Sequence, residues 1–434
     1  RFNAFKPEFV TPAVDELLAS SRAVIAQLGA LDAPPTWDNF ASPLYDALEK
    51  LNRAWGQVGH MNGVMNSAEL REVYNANLPK VTQFYTEFGQ DQSMFERFKR
   101  LAASPAAAQL TAAQRAVIAH ELRDFRLGGA DLPPEKKQRF MEVREKLSAL
   151  SSRFSDNLLD ATNAFSHYAD SAETVAGIPP DDLQAAREAA AADGKTGWKF
   201  TLHAPSYLPV MQYADNRGLR ETLYRAYSTR AAEFGNPQWD NTRLIGDIVA
   251  LRRELAVLLG FANYAEYSLE PKMAESPQQV LEFLTDLARR AKPFAERDLA
   301  ELKAFARDEL KLADLKAWDI AYASEKLRIA RYAFSDQEVK QYLPETTVLP
   351  GMFRVVETLY GISIIPDKTT ASSEQGSRLR DANVRESGAA PSSAGVASVS
   401  GVTSPKGAPV PPSDGAPASS EQGSRLRDAN VRES

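Results

Sequence analysis

The chain holds four histidines, His60, His120, His167 and His203, and no cysteine. A helix-borne zinc hydrolase site needs two histidines four residues apart, so that both imidazoles leave one helical face toward one cation. A glutamate beside the first then acts on the bound water. No two of the four histidines meet that spacing. His120-Glu121 is the one His-Glu dipeptide, but position 124 holds Asp124, and an ordinary helix surface is the better reading. His167 and Asp170 stand at i and i+3, two ligands without a third, which reads as a polar pair at a loop or helix end. His60, in Gly59-His60-Met61-Asn62, reads as a structural histidine. The sequence therefore assigns no catalytic residue and no metal ligand, and zinc is not expected to bind this chain alone.

Other chemistries find less support. There is no Gly-rich phosphate loop, no Gly-x-Ser-x-Gly and no Cys–His pair. Asp181-Asp182, Asp308-Glu309 and Glu345 are acidic spots without a convergent partner, and Arg289-Arg290-Ala291-Lys292 is a solvated or salt-bridged helix face. Tyr207, Tyr213, Tyr224 and Tyr227 make a dense aromatic patch: core packing is the first reading, lining of a peptide channel the second. A formal net charge of -6 argues against a nucleic-acid footprint. No window carries the ~18 consecutive apolar residues of a spanning helix, and no secretory signal is visible. Without cysteine there are no disulfides or thiolate sites, so cytoplasm is the default compartment. An organellar matrix is the alternative, because the chain begins at Arg1 and a leader or a few residues are expected to be missing.

The elements that must position these residues read as helices almost throughout. The clearest follows Asp240-Asn241-Thr242, three capping side chains, with Leu244, Ile248, Leu251, Leu255 and Leu258 at steps of three and four and Gly260 as a left-handed stop. Ser276-Pro277-Gln278-Gln279 opens the next as a capping box, with Val280, Leu284, Leu287 and Ala291 as its stripe. Pro293 should kink that helix or start another. Earlier helices are expected from Thr11-Pro12, after Pro43, over 67–78, 80–101 and 112–127, from Pro134 to about Ser166, and over 180–192. A last one is expected over 351–360, after loops near Pro344 and Pro350. Residues 198–203 are the single extended piece. The fold class is mainly α.

Pro205–Arg230, with Trp239-Asp240-Asn241, Tyr267-Ser268-Leu269 and Lys272-Met273-Ala274-Glu275, resembles the oligopeptidase A branch of the thimet oligopeptidase family of zinc metallopeptidases. Further matching pieces are Thr36-Trp37-Asp38-Asn39, His60-Met61-Asn62, Asn66-Ser67-Ala68-Glu69-Leu70-Arg71, Leu122-Arg123-Asp124-Phe125 and Trp318-Asp319-Ile320-Ala321-Tyr322. Each is weak alone; in order, over about residues 1–366, they are strong. The resemblance implies two helical halves facing across a deep channel, with short peptides cleaved by zinc-activated water at its floor. It also implies that family members continue for roughly as long again, through the helix bearing His-Glu-x-x-His. This chain is expected to be inactive by itself. The rival is a non-catalytic helical module that holds peptides or a protein partner.

Three divisions follow: an N-terminal helical domain 1–204, a continuing helical segment 205–366, and a low-complexity tail 367–434. The tail is Ser-, Ala-, Gly-, Pro- and Arg-rich without apolar periodicity, and disorder is expected. Within it, residues 371–387 recur letter for letter as 418–434, which points to a nucleotide-level duplication or an assembly artefact. An orphan helical wall should leave apolar surface exposed and tend to self-associate.

Overall fold

A capping box at Thr36 shows how local sequence starts this fold. Thr36 accepts from the Asn39 backbone N–H (3.1 Å) while Asn39 Oδ1 accepts from the Thr36 N–H (2.7 Å). One wide π turn, Trp37–Ala41, then feeds directly into a 23-residue helix. The computed structural model describes residues 2–333 and 336–365; the tail, with its disorder and repeat expectations, lies outside them.

The chain is built of helices α1 (Val10–Gly29), α2 (Ser42–Val64), α3 (Ala68–Gly89), α4 (Gln92–Ala102), α5 (Ala112–Leu127) and α6 (Pro134–Asn163). Strand β1 (His167–Ala169), α7 (Pro180–Ala192), β2 (Trp198–Phe200), α8 (Ala204–Tyr213) and α9 (Arg217–Ser228) follow. Then come α10 (Thr242–Leu258), α11 (Tyr264–Leu269), α12 (Pro277–Asp308) and α13 (Ile320–Tyr332). A second compact unit, beginning at Phe334, holds α14 (Asp336–Lys340) and α15 (Glu345–Tyr360). The mainly α expectation is met.

In the first unit α1 packs on α2 and α3, α3 on α6, and α6 on α10. Phe40, Leu44, Phe95, Phe98 and Phe125 fill one core; Val14, Leu51, Val81 and Phe84 fill its neighbour. A third apolar cluster runs across position 204, joining Trp198 and Phe200 of β2 to Val210, Met211, Leu219 and Leu223 of α8 and α9.

Several helix boundaries differ from the sequence reading. The expected break between 78 and 80 is absent: α3 continues through Pro79. Proline removes one ladder bond and costs about 3 kcal/mol, but α3 buries Leu70 on one side of it and Val81 and Phe84 on the other. Pro293 starts no new helix, and α15 runs through Pro350, starting just after Pro344. The Ser276 cap forms as expected, but Gln279 reaches back to the Glu275 N–H (2.8 Å), one residue before the cap. The expected stripe of α12 is surface: Leu284 and Leu287 are 50% and 48% exposed, and the helix buries only Leu302 and Ala306. At α10, Asp240 does the capping, accepting from the Thr242 N–H (2.8 Å). Asn241 is buried and bonds to Asn157 and to the Phe154 carbonyl.

The extended piece at 198–203 becomes β2, and its partner β1 lies where the end of a helix was expected. The two strands pair antiparallel, His167 opposite Phe200 and Ala169 opposite Trp198.

Candidate functional site

The histidines stand at four separate places in the fold. His60 is exposed on α2, its ring 5.6 Å from Phe2, and His120 is exposed on α5. His167, in β1, is half-buried, and burial lowers its pKa. His203 precedes α8, with Nε2 3.1 Å from Asn163 Oδ1 and Nδ1 3.2 Å from Thr201 Oγ1. Among the described residues no group of three or more His, Cys, Asp or Glu side chains is arranged to hold a metal ion. The described residues therefore do not fit a catalytic zinc.

Three of the four tyrosines share one cluster. Tyr207, on α8, is buried and stacks on Tyr227 of α9, with ring centroids 4.3 Å apart and planes 15° from parallel. The Arg230 guanidinium lies 3.6 Å from the Tyr227 ring centroid and donates to Thr162 Oγ1 at 3.1 Å. Tyr224 meets Trp318 at 6.1 Å, and Arg225 covers the same indole at 4.9 Å. Tyr213 ends α8 and is half-buried. Burial, with Tyr227 and Tyr224 alongside, pushes the Tyr207 phenol well above its ordinary value. It stays protonated, offering a ring face and a hydroxyl.

What fixes this patch is a charge cluster that the sequence alone does not connect. Asp319, fully buried in the turn before α13, accepts from Arg220 Nη2 at 2.8 Å and from Arg217 Nη2 at 2.6 Å. It also accepts from the Lys316 N–H at 3.0 Å. Arg220, 1% exposed, spends its other donors on the Ala214 carbonyl (2.6 Å) and more weakly on those of Asp215 and Trp318. Burial alone would raise the Asp319 carboxyl; the hydrogen bonds from Arg217 and Arg220 overcome it and hold the group below its ordinary value. Tyr322 closes the cluster: its ring lies 4.1 Å from the Arg220 guanidinium and its hydroxyl donates to Asp215 Oδ1 at 2.9 Å. The guanidinium thereby ties the α8–α9 corner to Trp318, and Trp318 supports Tyr224. Arg220 and Trp318-Asp319 are each conspicuous in the sequence, but nothing in the letters links them.

Two family descriptions match the chain: "Neurolysin/Thimet oligopeptidase, N-terminal domain" over residues 14–137 and "Peptidase family M3" over residues 210–387. The oligopeptidase A of Salmonella typhimurium is 45% identical over 364 residues, 83% of this chain and 54% of that protein. The probable cytosolic oligopeptidase A of Arabidopsis thaliana is 34% identical over 374 residues, 84% of this chain and 53% of that one. The chain spans about half the length of these curated relatives. A solved putative oligoendopeptidase F from Bacillus anthracis aligns with 71% of this chain and 48% of its own, with a TM-score of 0.43 and 15% identity.

Proposed function

We propose, for a chain that belongs to peptidase family M3 beside the oligopeptidase A proteins, that it is the N-terminal helical part of a zinc metalloendopeptidase acting on short peptides. The observation that carries this is the 45% identity running through 364 residues, far above what a shared helical architecture requires. In this reading residues 1–204 form the first helical domain and 205–366 lead on toward the catalytic half. Tyr207, Tyr213, Tyr224 and Tyr227 then lie along a peptide channel. The probable cytosolic oligopeptidase A of Arabidopsis thaliana supports a cytosolic setting.

The 434 residues are inactive by themselves, because the zinc-binding pair of histidines has no counterpart among His60, His120, His167 and His203. The test is a quenched fluorogenic peptide incubated with the purified chain and added zinc. No cleavage above buffer is expected; cleavage abolished by chelator would overturn the reading.

One observation favours a second reading, a non-catalytic module that holds a peptide or a protein partner. Leu281, Phe283, Leu284, Leu287 and Phe294 are all about half exposed along one end of α12. Sedimentation separates the two, since the module reading requires a monodisperse species that melts cooperatively.

A further inference from the structure

A cavity of about 300 Å³ opens in the first unit where the C-terminal turns of α3 and α5 meet α6 and α11. It shares no residue with the tyrosine cluster or the Arg220–Asp319 pair. Its floor is bare backbone. A Cβ on Gly128 would fall 2.7 Å from the Gly89 carbonyl oxygen, so the two helix ends approach closely because neither carries a side chain there. Its walls are aromatic: Phe88 and Phe125, with centroids 5.3 Å apart, buried Phe140, and Tyr267.

Charge is divided around this apolar space. Glu121 and Asp124, three residues apart on α5, project from one helical face. Arg144 enters from α6 and forms no ion pair among the described residues; its charge acts on the nearby Tyr267 hydroxyl, whose pKa burial raises. Asp124 is held by Arg123 Nε at 2.8 Å. Glu121 has no ion pair among the described residues; burial raises its carboxyl, with the Tyr45 hydroxyl opposing. A site with carboxylates on one wall, a cation without a carboxylate partner on another and aromatic faces between them matches a ligand that carries both charges around an apolar body. The volume stands at the small end of ligand pockets, roughly 300–1,000 Å³, which suits one or two residues.

We propose that this cavity binds a zwitterionic amino acid or dipeptide with a bulky apolar side chain. Its ammonium faces Glu121 and Asp124, its carboxylate faces Arg144, and its side chain lies against Phe125 and Phe140. The proposal does not depend on the peptidase reading.

The test is calorimetric titration of the full chain with L-phenylalanine and with phenylalanyl-leucine, beside N-acetylphenylalanine and phenylalaninamide. Saturable binding is expected for at least one zwitterion, and roughly tenfold or greater loss for each blocked analogue. Arg144→Met should erase the preference for the free carboxylate, and Glu121→Gln should weaken the ammonium-bearing ligands about tenfold while sparing N-acetylphenylalanine. Arg144 is exposed, so its variant keeps the fold, and its thermal melt serves as the control. No saturable heat up to about 10 mM of either zwitterion, or binding indifferent to both substitutions, would overturn the proposal.

Discussion

The carboxylate of Asp319 and the guanidinium of Arg220, ninety-nine positions apart, meet at 2.8 Å with both side chains sealed from solvent. Buried pairs of this kind contribute little against an apolar replacement, because desolvation offsets attraction, but removing one partner strands the other. Asp319→Ala should therefore lower unfolding stability by about 3–5 kcal/mol, and Arg220→Met by a similar amount. The double substitution Arg220→Met, Asp319→Ala should cost clearly less than the sum. Denaturant unfolding of the four proteins checks this; additive losses would show that the two side chains do not act together.

The same pair predicts a pH dependence whose sign can be worked out. The Asp319 carboxyl is held below its ordinary value in the folded state, against about 3.9 when unfolded. Its contribution is then fully present above the unfolded value and is lost as pH falls through the folded one. The stability gap between wild type and Asp319→Asn should stay constant from pH 7 to about pH 5 and narrow below about pH 4. Unfolding midpoints across that range measure it.

For the stacked tyrosines the two readings separate cleanly. As packing, Tyr207→Ala should cost about 3–5 kcal/mol and Tyr207→Phe under about 1.5, because the ring is buried against Tyr227 at 4.3 Å. As channel lining, Tyr213→Ala, at a half-buried position, should weaken peptide binding while moving the thermal midpoint little. Peptide affinity and melting temperature are measured together for the three variants.

Two glycines bracket the effect of a single methyl group. Gly197 has φ +87°, and a Cβ there would lie 2.2 Å from the Ala169 carbonyl oxygen of the β1–β2 pair. Gly197→Ala should cost more than about 2 kcal/mol. Gly246 is inside α10, where an added Cβ would meet nothing within 4 Å, so Gly246→Ala should stabilise by about 0.5–1 kcal/mol. Opposite shifts in thermal midpoint are expected.

The helices are legible because their cause is local. The steps of three and four at Leu244, Ile248 and Leu255 are buried as the period requires, and Gly260 takes the left-handed stop with φ +87°. What escapes the sequence is whatever depends on distant partners. Pro79 reads as a break until the residues α3 buries on both sides are known, and β1 cannot be found without β2 opposite it. The α12 stripe has the period of a buried face, yet the period cannot say whether anything covers it. At the cavity, Glu121 and Asp124 stand out in the sequence only as a failed histidine motif. The partners that make them interesting, Arg144 and Tyr267, come from α6 and α11.

The measurement that bears most directly on the account is the zinc content of the purified 434-residue chain after dialysis against a trace excess of zinc, read by mass spectrometry. With no pair of histidines able to face one cation, well under one zinc per chain should remain. One tightly held zinc per chain, removed only by a strong chelator, would contradict it.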